Sequence, residues 1–88
     1  MLIRNQRKDQ LVNLEHIASF MADESGNVTI AVRGNIYIVG TYSTEEKAIK
    51  VLDMIQKHYD SLNVYQNNPS DGYVSVYFEM PADEEVEV

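Results

Sequence analysis

The stretch GTYSTEEKAIKVLDMIQKHY, residues 40–59, decides the fold. Ser43 followed three residues later by Glu46 has the form of a capping box, and Glu45 with Glu46 meets the positive end of a helix dipole. Beyond that entrance Ala48, Val51, Leu52, Ile55, Tyr59 and Leu62 recur at helical spacing and form one apolar stripe. On the opposite side Glu46 precedes Lys50, and Asp53 precedes Lys57, four residues apart, pairs worth about 0.2–0.5 kcal/mol each on an exposed helix. Such pairs solvate a surface and do no chemistry. The helix is therefore expected to cover a sheet and not to carry a reactive site.

Upstream, the chain supplies the strands. MLIRNQ and QLVNL bracket the polar run at residues 6–9 and read as a hairpin with a charged turn. Asn13 can cap a short turn through Glu15 and His16. IASFMAD, residues 17–23, reads as a third strand, ended by ESGN, where Gly26 and Asn27 tolerate positive φ. Val28, Ile30 and Val32 alternate with Thr29, Ala31 and Arg33. The break at Gly34-Asn35 predicts antiparallel pairing of residues 28–33 with 35–41. Gly40, near the end of the second strand, marks a bulge or a close contact.

Downstream, NNPSDG at 67–72 is a turn cluster. In YVSVYFEM, residues 73–80, Val74, Val76, Phe78 and Met80 alternate with Tyr73, Ser75, Tyr77 and Glu79. Pro81 ends that strand. The predicted fold class is α+β, with an antiparallel sheet of about five or six strands and one long amphipathic helix packed on one face. Residues 1–81 form the domain and 82–88 an acidic C-terminal tail, whose Val86 and Val88 alternate as if to add an edge strand. One domain is all that 88 residues support. A chain this short buries only roughly 60–65% of its unfolded surface, so a homo-oligomer interface would add needed stability.

The net charge of -7 is unevenly spread. Glu79, Asp83, Glu84, Glu85 and Glu87 fall in the last ten residues with no base among them, which leaves residues 1–78 at -2. The seven bases are scattered over several elements, so a groove that neutralises phosphates, and with it direct nucleic-acid binding, is not expected. Cysteine is absent, which removes disulfides, thiolate nucleophiles and cysteine zinc sites. No apolar run has the length of a signal peptide or a membrane span, so the expectation is a cytoplasmic protein without membrane contact.

Candidate chemistry is thin. His16 and His58 are the only imidazoles; His58 flanks the helix stripe near the negative helix end and reads as a surface histidine, and His16 has no second ligand at metal-binding spacing. The acid pairs Asp23-Glu24, Glu45-Glu46 and Glu84-Glu85 lie in a turn, a helix start and the tail, not across a pocket in unlike environments. No serine sits in a Gly-flanked elbow. No catalytic residue, cofactor or metal is expected. Six tyrosines without a tryptophan are the one compositional excess that fits recognition. Tyr37, Tyr73 and Tyr77 occupy strand positions opposite the more aliphatic set and are expected on the sheet face away from the helix, as a protein interface or as cross-strand packing.

At MLIRNQ…LVNLEHI, GTYSTEEKAIKVLDMIQ and YFEMPADEEVEV the chain resembles small uncharacterised proteins of phages and prophages of Gram-positive bacteria, which share an opening of the LIR.Q type, a G.Y.TEE.A..VL helix entrance and a Y.MP ending. Here Phe78 and Glu79 separate the last tyrosine from Met80-Pro81. The resemblance carries no catalytic residue; it implies an accessory role in the cytoplasm of a bacterium or an infected host. The expected function is a non-catalytic interaction module that self-associates or binds another protein. The alternative is an acidic mimic of nucleic acid, with Asp83, Glu84, Glu85 and Glu87 occupying a basic groove on a host defence or replication protein.

Overall fold

The computed structural model describes residues 1–13, 15, 17, 19–67 and 77–88, with 62–67 as helical backbone only. Six strands and one helix follow in the order β1 (Leu2–Arg4), β2 (Leu11–Asn13), β3 (Ser19–Ala22), β4 (Asn27–Val32), β5 (Asn35–Thr41), α1 (Glu45–Asn67) and β6 (Tyr77–Glu79), before a 3-10 turn at Asp83–Glu85. The fold is α+β, but the strands form two three-stranded sheets, β2-β1-β6 and β3-β4-β5, and not the one continuous sheet expected. The first is mixed, because β6 returns from the helix to pair with β1 in parallel.

Local chemistry closes each hairpin. In the β1–β2 loop the buried Asn5 accepts the N–H groups of Asp9 and Gln10 at 3.1 Å and donates to the Asp9 carboxylate at 2.8 Å. Lys8 takes positive φ in that loop. Asp23 organises the β3–β4 turn, its Oδ1 accepting from the N–H of Ser25 and of Asn27, both at 2.9 Å. The β4–β5 turn is the two-residue loop Arg33-Gly34, with φ of 50° and 84°, the positive pair a type I′ hairpin requires. Register then slips between Val28 and Thr29, so that Val28 faces Gly40 and Thr29 faces Ile38. The extra residue, Val39, is a β-bulge where the glycine suggested one.

One residue bridges the sheets. Gln6 donates its N–H to the Val39 carbonyl at 2.8 Å, accepts the Thr41 N–H on Oε1 at 2.8 Å and donates Nε2 to the Pro81 carbonyl at 3.4 Å. The first sheet thus meets the end of β5 through the backbone N–H and side-chain amide of Gln6, and among the described residues no ladder joins β2 to β3.

One core unites the layers. Ile3 from the first sheet, Val28, Ile30 and Val39 from the second, and Ala48, Val51 and Ile55 from α1 form a single buried cluster with Tyr42, Met80 and Val86. His58 of α1 meets the Phe78 ring edge-on, centroids 5.5 Å apart, so it is half-buried against β6 and not the surface histidine expected. The helix start differs too. Thr44 is the N-cap, its Oγ1 accepting the Lys47 N–H at 3.1 Å and its carbonyl accepting the Ala48 N–H, which leaves Ser43 and Glu46 outside a capping box. His16, Tyr73 and most of the segment 67–76 lie outside the described residues.

Candidate interaction surface

Cross-strand register assigns each face of the second sheet. Phe20, Ile30 and Tyr37 share one face, and Ile30 on it is core. Met21, Thr29 and Ile38 share the other, as do Ser19, Ala31 and Ile36. Thr29 at the middle of that outer face is buried, but the apolar residues around it are uncovered among the described residues. Met21 is 50% exposed, Ile36 63% and Ile38 58%. The strands Ser19–Ala22, Asn27–Val32 and Asn35–Thr41 contain no charged residue, in a chain of which 24% is charged. Charge gathers at the rims, with Arg33 at one end and Asp23-Glu24 at the other.

Among the described residues β5 is also the sheet's open edge. The Val32–Asn35 closure makes Asn35 and Tyr37 the residues bonded to β4, so the N–H and C=O groups of Ile36 and Ile38 point away from it. From Val39 onward Gln6 covers the edge. A stretch at residues 35–38 remains uncovered among the described residues, bounded by the turn on one side and Gln6 on the other. Natural edges are usually blunted by charge, proline or a bulge; here the bulge and Gln6 protect one half and nothing described protects the other.

The tyrosines are not brought together. Tyr37 lies on the inner face, register partner of Ile30, at the rim of an open groove of about 380 Å³ whose far side is Leu11, Val12 and Asn13 of β2. Tyr77 lies beside Leu2 in the first sheet and accepts a hydrogen bond from Arg4 Nε at 3.0 Å. The expectation that both sit on the face away from the helix fails for Tyr37, while the placement of Tyr73 lies outside the described residues. Ile36, Ile38 and Met21, the exposed apolar residues of the outer face, were not expected as a surface.

The acidic segment is tied to the body. Asp83 Oδ1 accepts the Ser43 N–H at 2.7 Å, its Oδ2 lies 3.5 Å from Lys47 Nζ, and its carbonyl accepts from that ammonium at 3.0 Å. A carboxylate at this position favours the helix N-terminus as well. Glu85 folds back on the Ala82 N–H at 2.8 Å, and Val86 is core. Glu84 and Glu87 remain exposed.

Among the described residues three carboxyls titrate below their ordinary value, and each has a structural cause. For Asp83 the largest is the Ser43 N–H, for Asp23 the Asn27 N–H, and for Asp9 the Asn5 amide. A depressed folded pKa stabilises the fold above the unfolded carboxyl value and loses that contribution as pH falls through the folded one. The protein is therefore expected to lose stability below about pH 4. Asp83→Asn should narrow the difference between urea midpoints at pH 7 and pH 3, and an unchanged difference would remove Asp83 from this account.

An open apolar cleft of about 500 Å³ lies between Met1, Ile17, Ser19 and Phe20 on one side and Leu52, Ile55, Gln56 and Tyr59 on the other. None of these residues is a carboxylate or an imidazole. Among the described residues no group of three His, Cys, Asp or Glu side chains could hold a metal ion, and no helix is long and apolar enough to cross a membrane. Comparison with protein-family models, with curated proteins and with solved structures finds no match.

Proposed function

We propose that this chain is a non-catalytic interaction module that binds protein through the β5 edge and the outer face of its sheet. The observation that carries the reading is the run Ile36-Tyr37-Ile38, three large apolar residues each about half or more exposed, on a strand whose outer edge has no partner among the described residues. A strand edge offers backbone hydrogen bonds for affinity, and the flanking apolar side chains supply contact area, the recipe of β-augmentation. In the setting the sequence resemblance implies, the module is an accessory protein of a phage or prophage acting in a bacterial cytoplasm.

The acidic-mimic reading has less to draw on. Asp83 and Glu85 are engaged within the chain, which leaves Glu84 and Glu87 as free carboxylates of that segment. The test is affinity capture from a bacterial lysate with the native chain, with Ile36→Lys, and with a chain lacking residues 82–88. Proteins retained by the native chain and lost with Ile36→Lys support the edge as the binding surface; retention that survives this change but depends on the acidic segment and on low salt would overturn it in favour of mimicry.

A further inference from the structure

We propose that the partner seated on the β5 edge is a second copy of this chain, joined antiparallel about a two-fold axis through Tyr37. This rests on the interaction-module reading and names its partner.

Symmetry of the edge itself is the first argument. Around Tyr37 the strand reads Ile36-Tyr37-Ile38, the same in both directions, so a two-fold axis there sets Ile36 of each copy opposite Ile38 of the other. Those are the two residues whose backbone groups point outward. Antiparallel pairing lets each Ile36–Ile38 couple exchange two hydrogen bonds, about four in all, with Tyr37 facing its counterpart as a non-hydrogen-bonded pair. Such a contact is isologous and closes at two copies, as a dimer interface must.

The ends of the free edge fix the same register. Gln6 occupies the edge from Val39 onward, and the Arg33-Gly34 turn ends it before Asn35. Asn35 of one copy then stands opposite Val39 of the other, so each strand stops where the other copy's Gln6 begins. A shift by two residues in either direction drives one turn into Gln6 or leaves an isoleucine unpaired.

Charge permits this partner in spite of the net charge of -7. No charged residue lies on any strand of the sheet, so two copies meet there without like-charge opposition. The rims are complementary: the two-fold axis brings Arg33 of one copy toward the end of the sheet where the other carries Asp23 and Glu24. Joined this way, the two sheets become one of six strands, and the apolar row Met21-Thr29-Ile38 runs on into the other copy's Ile36 and Ala31. The paired segment spans only residues 35–38, far short of the roughly 20–30 residues a side of a standard interface, so a weak dimer is expected, with dissociation on the order of ten to a hundred micromolar.

Sedimentation equilibrium from about 5 to 500 µM brackets that range. The mass should rise from 10.1 kDa toward twice that value. Ile36→Lys, at an exposed position, should hold it at the monomer value, and Ile49→Lys, exposed on α1, should leave dimerisation unchanged. The absence of native cysteine allows a test of register. Paired non-hydrogen-bonded residues lie about 4.5 Å apart at Cα, within the disulfide range of about 4.4–6.8 Å. Tyr37→Cys treated with diamide should therefore link into a covalent dimer at least tenfold faster than Thr41→Cys. A native chain that stays monomeric throughout, or a dimer untouched by Ile36→Lys, overturns the proposal. If the monomeric chain still captures another protein and Ile36→Lys abolishes that capture, the interaction module stands and only the second copy falls.

Discussion

Gly26→Ala is expected to destabilise this fold by roughly 4 kcal/mol, combining left-handed backbone strain with overpacking. Gly26 holds φ +89° in the β3–β4 turn, where its carbonyl accepts the Tyr42 N–H at 2.8 Å. A methyl group there would overlap the backbone carbonyl of Tyr42, which cannot swing aside as a flexible side-chain end could. Turn and helix entrance would have to part. Gly34→Ala is the internal comparison, because Gly34 has a similar φ of +84° with no atom within 4 Å of the added carbon. That change should cost only about 1 kcal/mol, the backbone term alone. Urea unfolding of the two variants checks the pair, and equal losses would show that the contact with Tyr42 is not what excludes a side chain at Gly26.

The second large effect is at Tyr42, which is 2% exposed and belongs to the core cluster. Tyr42→Ala should cost about 3–5 kcal/mol, as for other large aromatic truncations. That loss is comparable to the whole stability of many small domains, so the variant is expected to be largely unfolded at 37 °C. Tyr42→Phe separates the ring from the hydroxyl. The phenol donates to the Pro81 carbonyl at 2.8 Å, and losing that bond should cost about 1 kcal/mol. Burial first, then the charges of Asp83 and Glu85, push the phenol well above the ordinary tyrosine pKa. A raised folded pKa gives stability that is complete below the unfolded value near 10 and is lost as pH rises toward the folded one. The native chain should therefore weaken above about pH 10, and Tyr42→Phe should weaken less over the same range. Urea midpoints at pH 8 and pH 11 measure the difference; parallel losses in both would place the alkaline sensitivity on other tyrosines.

Much of this was legible because short-range rules govern it. The apolar stripe of α1 delivers Ala48, Val51 and Ile55 to the core. Gly26 and Gly34 sit at turns, and Gly40 flanks the bulge where its missing side chain leaves room for the Tyr42 ring. What escaped depends on partners far along the chain. Asp83, forty residues from Ser43, takes the N–H that a local cap would have used, and the cap moves to Thr44. Nothing in YFEM says that it pairs with LIR in parallel, and nothing in an acidic segment announces that Val86 enters the core while Asp83 bonds to Ser43 and Lys47.

The β5 surface is a different case, since its signal was present. A two-residue turn places odd-numbered residues of β5 on the face of even-numbered residues of β4. With Ile30 in the core, Tyr37 must follow it inward and Ile36 and Ile38 must turn out. The expected parity, with Tyr37 outward, is the reverse of this, although an unbroken Ile-Tyr-Ile run after a tight turn already requires large apolar side chains on both faces. The fold's exposed apolar area therefore comes from strand geometry more than from composition.

Everything proposed for this chain depends on the edge at residues 35–38 being open in the separate molecule. Residue-resolved amide hydrogen exchange in dilute solution, about 5 µM and below the proposed dimer's dissociation range, measures this directly. The N–H groups of Ile36 and Ile38 should exchange rapidly while that of Tyr37, bonded to β4, exchanges slowly, and raising the concentration a hundredfold should slow the first two. Slow exchange of Ile36 and Ile38 at the lowest concentration would mean that the chain covers its own edge, and would contradict the account.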